Sequence, residues 1–179
     1  MSKVTIWGKQ ITLPTLSNGV VIMDLDGTLA CGKHRLHKLP RKDLHLTESW
    51  REFNLLAGGD APIKQTITVN NALYRAGLMV IILTGRTDEA EELTREWLHR
   101  HGVQYDYLLM RRASDNRKDT VMKEEALRAI GLDRIVCAYD DSPSVIAHMR
   151  SLGIQVYQVC DYGDNAHHRQ DLASNGVNE

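Results

Sequence analysis

The chain has 179 residues, of which 42% are hydrophobic and 25% charged, and its formal net charge is -1. These values are typical of a single soluble globular domain, whereas a protein that coats long nucleic acid would be strongly basic. The three cysteines include no CxxC pair, which indicates a reducing compartment and argues against a zinc site. No signal-peptide core or membrane-spanning run is found, so we expect a cytoplasmic protein without a membrane partner.

The first predicted elements are two short β-prone pieces within residues 1–19. They cover residues 4–7 and 11–13 and are separated by Gly8-Lys9-Gln10. We predict that this N-terminal extension forms an edge hairpin or lies loosely over the core, and we assign it no chemistry.

The next element, Val20–Met23, is a run of four apolar residues that predicts a strand buried on both faces. It leads directly into Asp24-Leu25-Asp26-Gly27-Thr28, and alternation along an extended chain places Asp24 and Asp26 on one side. Two carboxylates about 4 Å apart repel each other by roughly 4 kcal/mol at an effective dielectric of 20. A fold retains such a pair where a cation or a reaction uses it. The alternative is a strand end with two turn-forming aspartates.

Residues 30–62 predict a small cap or lid insertion. Its first part, residues 33–42, is rich in lysine and arginine, and Pro40 argues against one continuous helix there. A basic loop near a carboxylate site suits an anionic substrate, but a solvated charge run explains it equally well. Trp50 and Phe53 are the expected apolar anchors of the insertion.

The remaining chain alternates helices and strands. Helices are predicted over residues 63–76, 88–101, 120–130 and 142–152, with Asp88 capping the second. Strands are predicted over residues 78–83, 105–110, 134–139 and 155–159. This alternation predicts an open, mainly parallel, Rossmann-like α/β sheet with helices on both faces and a site at the carboxyl ends of its strands. The main domain is assigned to residues 20–166, followed by a flexible polar tail over residues 167–179.

Polar side chains recur where the predicted strands end. They are Asp24 and Asp26, then Thr84 and Arg86, then the 111–123 region, and finally Asp140 and Asp141. Their spacing along the chain is wide, so only the fold would bring them together.

The types and order of these residues resemble the pattern found in the haloacid dehalogenase superfamily of phosphotransferases. The resemblance implies that Asp24 is the nucleophile and Asp26 the general acid/base. It further implies that Thr84 and Lys123 hold the phosphate and that an acidic site binds Mg²⁺; its ligands are Asp24, Asp26, Asp140 and Asp141. The residue types suit this chemistry, because a carboxylate can attack phosphorus and Mg²⁺ prefers oxygen ligands.

Residues 111–125, RRASDNRKDTVMKEE, look like a segment of the 3′-phosphatase domains of phage polynucleotide kinase-phosphatases. This closer resemblance runs from about residue 20 to residue 160, apart from the stretch between Arg35 and Thr84, and also covers Arg35 and Arg86. It implies that the substrate is bound by Arg35, Gly85, Arg86, Arg111 and Asp119. Asp119 would orient Lys123 across one helical turn, with Lys118 as the competing phosphate-holding lysine. The stretch between Arg35 and Thr84 is longer here and differs, and Ser142 stands where the phage enzymes have arginine. No separate kinase domain is present in this sequence.

The resulting hypothesis is a Mg²⁺-dependent phosphatase of 3′-phosphorylated nucleic-acid ends, without an obligate protein partner. DNA and RNA remain equally open as substrates. The alternatives are a phosphatase of free nucleoside monophosphates or another small phosphate ester, and a catalytically silent binding module on the same fold. A nucleotide kinase is disfavoured, because Gly27–His34 resembles a P-loop but ends in a histidine where a hydroxyl is required.

Overall fold

The computed structural model describes residues 2–14 and 19–160, so the predicted tail over residues 167–179 lies outside the described part. The β-strands are β1 (Ser2–Ile6), β2 (Lys9–Leu13), β3 (Val20–Met23), β4 (Ala30–Cys31), β5 (Ala61–Pro62), β6 (Met79–Thr87), β7 (Tyr107–Arg111), β8 (Ile135–Asp140) and β9 (Val156–Gln158). The α-helices are α1 (Arg51–Leu55), α2 (Lys64–Arg75), α3 (Glu91–Arg100), α4 (Asp119–Ile130) and α5 (Pro143–Ser151).

A five-stranded parallel sheet forms the centre of the protein, in the order β7-β6-β3-β8-β9. All four residues of β3 are buried, because helices cover both faces of the sheet. Val20 and Ile22 pack with α4 and α5 on one face, and Val21 and Met23 pack with α2 and α3 on the other. The predicted α/β fold, with a strand at Val20–Met23 buried on both faces, is therefore confirmed.

The strand order places the carboxyl ends of β3, β6 and β8 side by side. The chain runs from β3 outward to β6 and β7, then returns to β8 and continues outward to β9 on the other side. A reversal of this kind creates a crevice at the carboxyl ends of the strands, which is where open α/β sheets bind ligands.

The N-terminal strands β1 and β2 pair antiparallel as a hairpin. Its turn residues Trp7 and Gly8 have positive φ angles of 49° and 84°, as in the primed turns that suit two-residue hairpins. The hairpin forms its own two-stranded sheet and does not extend the edge of the central sheet. Ile6, Ile11 and Leu13 are buried in the core cluster that includes α4.

The insertion begins and ends on a second small sheet, in which β4 pairs antiparallel with β5 and Ala30 lies opposite Pro62. Between these strands the chain forms α1 and several short 3₁₀ turns. Because Ala30 also forms a bridge with Asp26, the insertion leaves and rejoins the domain beside the carboxyl end of β3.

Most element boundaries agree with the prediction to within one or two residues, and two differences are larger. β6 continues through Thr84, Gly85 and Arg86, although the sequence suggested that it ends at Leu83. Asp88 does not cap α3: a 3₁₀ turn precedes the helix, and the Asp88 carboxylate instead accepts a hydrogen bond from the backbone N–H of Ala113 at 2.9 Å. In the described residues, no helix combines the length and apolarity needed to cross a membrane.

Candidate active site

A cavity opens between the strand ends and the insertion. On the strand side it is lined by Asp24, Asp26, Thr84, Gly85, Arg86, Arg111, Asp119, Lys123, Asp140 and Asp141. On the insertion side it is lined by Leu39, Thr47, Trp50, Phe53 and Asn54. Every site residue predicted from the sequence lines this cavity except Arg35, which is fully buried.

The Lys123 ammonium lies between two carboxylates. Its Nζ is 2.8 Å from Asp24 Oδ1 and 2.9 Å from Asp140 Oδ2, and all three residues are buried. Burial lowers the pKa of Lys123, but the negative charges of Asp140 and Asp24 outweigh that effect and hold the pKa well above its usual value. Lys123 is therefore a permanent cation in the cavity. Lys118, the competing lysine, is exposed and does not line the cavity.

Asp119 at the start of α4 binds two cations. Its Oδ1 accepts a hydrogen bond from Arg111 Nη2 at 2.7 Å, and its Oδ2 lies 3.6 Å from Lys123 Nζ. Burial raises the pKa of Asp119, but Lys123 and Arg111 outweigh burial and hold the pKa below its usual range. Gly85 leaves the space that Asp119 occupies, because a Cβ there would lie 2.7 Å from Asp119 Oδ1.

The Asp26 carboxylate is held by two arginines. Arg86 donates from Nε at 3.1 Å and from Nη2 at 2.6 Å, and Arg35 Nη2 binds the same carboxylate. Burial raises the pKa of Asp26, but the guanidinium charges of Arg86 and Arg35 outweigh burial and hold the pKa far below its usual range. Asp26 is therefore ionised in this form of the protein.

The three arginines predicted to bind the substrate are bound to carboxylates of the protein. Arg35, Arg86 and Arg111 are each buried and paired with Asp26 or Asp119. Arg111 also donates to the backbone carbonyls of Asp115 and Arg117, at 3.0 and 2.6 Å. These side chains are placed to orient the acidic residues of the cavity, and only Arg86 and Arg111 line it.

Three carboxylates form a compact group that could hold a metal ion: Asp24, Asp140 and Asp141 each offer an oxygen, and these oxygens lie within 4.8 Å of one another. Burial and then the negative charge of Asp140 raise the pKa of Asp141 to about 8. Burial also raises the pKa of Asp24 well above its usual value, despite the opposing charge of Lys123. The Asp26 side chain, predicted as a fourth ligand, lies outside this group because the arginines bind it.

Thr84 also reaches the cavity. It is 1% exposed, and its hydroxyl oxygen accepts a hydrogen bond from the backbone N–H of Arg86 at 3.1 Å. On the other side of the strand ends, the backbone N–H of Ser142 donates to Asp140 Oδ1 at 2.9 Å, which fixes the second oxygen of a carboxylate that also binds Lys123.

Sequence reasoning missed the role of the insertion in building the site. Thr47 attaches the insertion to the loop after β7: its backbone N–H donates to Asn116 Oδ1 at 2.8 Å, and its hydroxyl donates to the carbonyl of Ala113. Asp60 follows two glycines in the insertion, and its side chain is fully buried against Arg35 and Arg86. No periodicity or motif identifies either residue, because both acquire partners only through distant parts of the chain.

A parallel sheet with an aspartate at the end of its central strand, a buried lysine and a distal acidic pair defines a phosphatase of the haloacid dehalogenase type. Residues 18–164 match the family model described as the polynucleotide kinase PNKP phosphatase domain, and the chain belongs to that family.

Known relatives agree with this assignment. The chain is 27% identical over 148 residues to a protein of Autographa californica nuclear polyhedrosis virus named as a bifunctional polynucleotide kinase/RNA ligase; the match covers 79% of this chain and 20% of the viral protein. It also resembles a chain in the structure of the Pnkp1/Rnl/Hen1 RNA repair complex, with 28% identity, a TM-score of 0.67 and coverage of 87% of this chain and 46% of that one.

A haloacid dehalogenase-like family protein from Streptococcus pneumoniae shares the fold, with 16% identity, a TM-score of 0.56 and coverage of 80% and 85% of the two chains. The chain spans a fifth of the length of the viral relative and about half of the chain in the RNA repair complex.

Proposed function

We propose that this protein is a Mg²⁺-dependent phosphomonoesterase that removes 3′-phosphates from polynucleotide ends through a phosphorylated Asp24. The observation that carries the proposal is the position of the Asp24 carboxylate. It lies in the cavity, 2.8 Å from Lys123 Nζ and grouped with the oxygens of Asp140 and Asp141. This geometry supports the proposal because the candidate nucleophile, a fixed cation and a candidate metal site lie around one point.

The carboxylate group fits a magnesium ion. Three hard oxygen donors converge there, and the raised pKa values of Asp24 and Asp141 reflect burial and mutual repulsion, which a cation relieves. A bound Mg²⁺ would supply positive charge that keeps these carboxylates ionised and stabilises the phosphoryl oxygens.

In the first step, an Asp24 carboxylate oxygen attacks phosphorus, a P–O bond forms, and the P–O bond to the leaving alcohol breaks. Asp26 gives its proton to the departing oxygen. In the second step, water attacks the phosphorylated Asp24, Asp26 takes a proton from that water, and inorganic phosphate leaves as the carboxylate is regenerated. Lys123 and Thr84 hold the phosphoryl oxygens through both steps.

The ionised state of Asp26 in the free protein suits its role as the base of the second step. Its role as the acid of the first step requires a proton on that carboxylate. A dianionic phosphate bound nearby raises the pKa of a carboxyl group, so substrate binding favours the protonated form.

Two findings support polynucleotide 3′-ends as the substrate. The chain belongs to the polynucleotide kinase phosphatase family, and one of the structures it resembles is described as an RNA repair complex. Free nucleoside monophosphates are the second candidate. Two observations support this second candidate. Thr47 attaches the insertion over the cavity, and a net charge of -1 provides no general attraction for a long polyanion.

The test is phosphate release from a 3′-phosphorylated oligonucleotide, its 5′-phosphorylated isomer, and 3′- and 5′-nucleoside monophosphates, each with Mg²⁺ and with EDTA. We expect release from the 3′-phosphorylated oligonucleotide only with Mg²⁺, and none from Asp24→Asn, which keeps the shape of the side chain. Preference for the mononucleotides would transfer the function to the second candidate. Full activity of Asp24→Asn would refute the mechanism.

A further inference from the structure

Asp60 is the residue of the insertion that lies just before β5, and its side chain is fully buried. Its Oδ1 accepts a hydrogen bond from Arg35 Nε at 2.7 Å, and its Oδ2 accepts one from Arg35 Nη2 at 2.6 Å. Oδ2 also lies 3.3 Å from Arg86 Nη2. A single carboxylate therefore binds both of the arginines that hold Asp26.

The backbone around Asp60 is fixed independently of its side chain. Its N–H donates to the carbonyl of Ala57 at 3.1 Å, and its own carbonyl accepts a hydrogen bond from Trp97 Nε1 at 2.7 Å. Trp97 is fully buried in the core beside the central sheet. Asp60 thus presents its carboxylate from a rigid position that is anchored to α3.

The other contacts of this group are also fixed. The Arg35 guanidinium lies 3.9 Å from the centre of the Phe53 ring, and its Nη1 donates to the Phe53 carbonyl at 3.1 Å. His34 Nε2 lies 2.9 Å from Asp60 Oδ1. Arg86 Nη1 donates to the Thr94 hydroxyl at 2.9 Å. These contacts fix the orientation of the Arg35 and Arg86 guanidinium groups.

The charges explain why Asp60 matters for that orientation. Arg35 and Arg86 are two buried cations that share the Asp26 carboxylate, so they repel each other at short range. Asp60 supplies the second negative charge and accepts two hydrogen bonds from Arg35. Without it, Arg35 loses those bonds and both guanidinium groups compete for one carboxylate.

We infer that Asp60 is a positioning residue: through Arg35 and Arg86 it fixes the Asp26 carboxylate in the orientation needed for proton transfer to the leaving oxygen. Asp60 does not line the cavity, so it acts only through the two arginines. The inference rests on the proposed function, in which Asp26 is the acid/base. It makes the insertion part of the catalytic apparatus as well as the cover of the cavity.

The test compares two substrates that differ in their need for a proton. The 3′-phosphorylated oligonucleotide has an alkoxide leaving group that must be protonated, whereas p-nitrophenyl phosphate has an aryl leaving group that departs as a stable anion. The measured quantity is kcat/KM with Mg²⁺, because it reports the steps up to phosphoryl transfer to Asp24. Folding of every variant is checked by circular dichroism.

We expect Asp60→Asn to lower kcat/KM for the oligonucleotide by about 100-fold and for p-nitrophenyl phosphate by less than about tenfold, since general acid catalysis contributes about 10²–10⁴-fold. Asp26→Asn should show the same selective loss. Asp43→Asn is the matched control: Asp43 is an exposed aspartate of the same insertion and should leave both values unchanged.

If Asp60→Asn does not fold, Asp60→Glu decides the question, because it keeps the charge but displaces the carboxylate by one methylene. It should show a smaller loss with the same selectivity. The inference is overturned if kcat/KM of a folded Asp60 variant falls equally on both substrates, or does not fall, while Asp26→Asn still loses activity selectively on the oligonucleotide. A non-selective loss in Asp26→Asn overturns the acid role in the proposed function and the inference with it.

Discussion

Asp24 and Asp26 are separated by one residue, yet their carboxylates lie in opposite electrostatic environments. Asp24 is buried and grouped with the acidic Asp140 and Asp141, and burial raises its pKa well above the usual value. Asp26 is paired with arginines that outweigh the effect of burial and lower its pKa. The two carboxyl groups, proposed above as nucleophile and acid/base, therefore have pKa values that their surroundings shift in opposite directions.

The first prediction concerns Lys123. Replacing it by Met removes the cation between Asp24 and Asp140 and leaves buried carboxylates unpaired. We expect kcat to fall by about 10²–10³-fold and the free energy of unfolding to fall by about 3–5 kcal/mol. Phosphate release and urea unfolding measure the two effects. The matched control is Lys118→Met, because Lys118 is exposed just before the same helix; a larger loss there than in Lys123→Met would contradict the assignment.

Asp141 gives a prediction about pH. Its pKa is raised to about 8 in the folded protein, against about 4 in an unfolded chain. Between these values the folded state binds more protons than the unfolded state, so this group lowers stability progressively as pH rises from about 4 to about 8. In EDTA at pH 8, Asp141→Asn should therefore raise the free energy of unfolding by on the order of 1 kcal/mol or more.

The same variant should lose the stabilisation that added Mg²⁺ gives the unsubstituted protein, because a metal that binds only the folded state stabilises it by mass action. Urea unfolding with EDTA and with Mg²⁺ separates the two effects. Asp133→Asn changes an exposed aspartate and should behave like the unsubstituted protein in both conditions. Equal Mg²⁺ stabilisation of Asp141→Asn and the unsubstituted protein would argue against the metal site.

Much of this arrangement could be predicted because it depends on local patterns. The run Val20–Met23 predicted a strand buried on both faces, and strand topology alone brings Asp24, Thr84 and Asp140 to one edge. The partners of the arginines could not be predicted. Arg35 and Asp60 lie 25 residues apart in a segment without regular periodicity, so nothing in the sequence shows that they pair or that both become buried.

Thr47 tests whether the insertion must stay attached over the cavity. Thr47→Val keeps the shape of the side chain but removes the hydroxyl that binds Ala113 and Asn116. We expect a loss of about 1 kcal/mol in the free energy of unfolding, and a several-fold rise in KM with little change in kcat. Thr68→Val is the control, because the exposed Thr68 hydroxyl binds only within its own helix. Unchanged KM in Thr47→Val would show that this attachment does not affect substrate binding.

The last prediction compares alanine substitutions at Gly27 and Gly77. The comparison distinguishes the effect of backbone strain from the effect of displacing a carboxylate of the acidic group. Gly27 has a φ of 82°, and a Cβ there would lie 2.0 Å from Asp141 Oδ2. Gly77 has a similar φ of 86°, but a Cβ there would meet nothing within 4 Å. Both alanine variants bear the strain of a left-handed residue, about 1–2 kcal/mol, but only Gly27→Ala must displace a carboxylate.

We therefore expect Gly77→Ala to lower the free energy of unfolding by about 1–2 kcal/mol without changing activity or Mg²⁺ dependence. Gly27→Ala should lose about 1–3 kcal/mol more, and the Mg²⁺ concentration for half-maximal activity should rise, because Asp141 no longer lies beside Asp24 and Asp140. Urea unfolding and a Mg²⁺ titration of phosphate release measure both quantities. If the two variants responded alike, the close packing of Gly27 against Asp141 would have no part in assembling the acidic group.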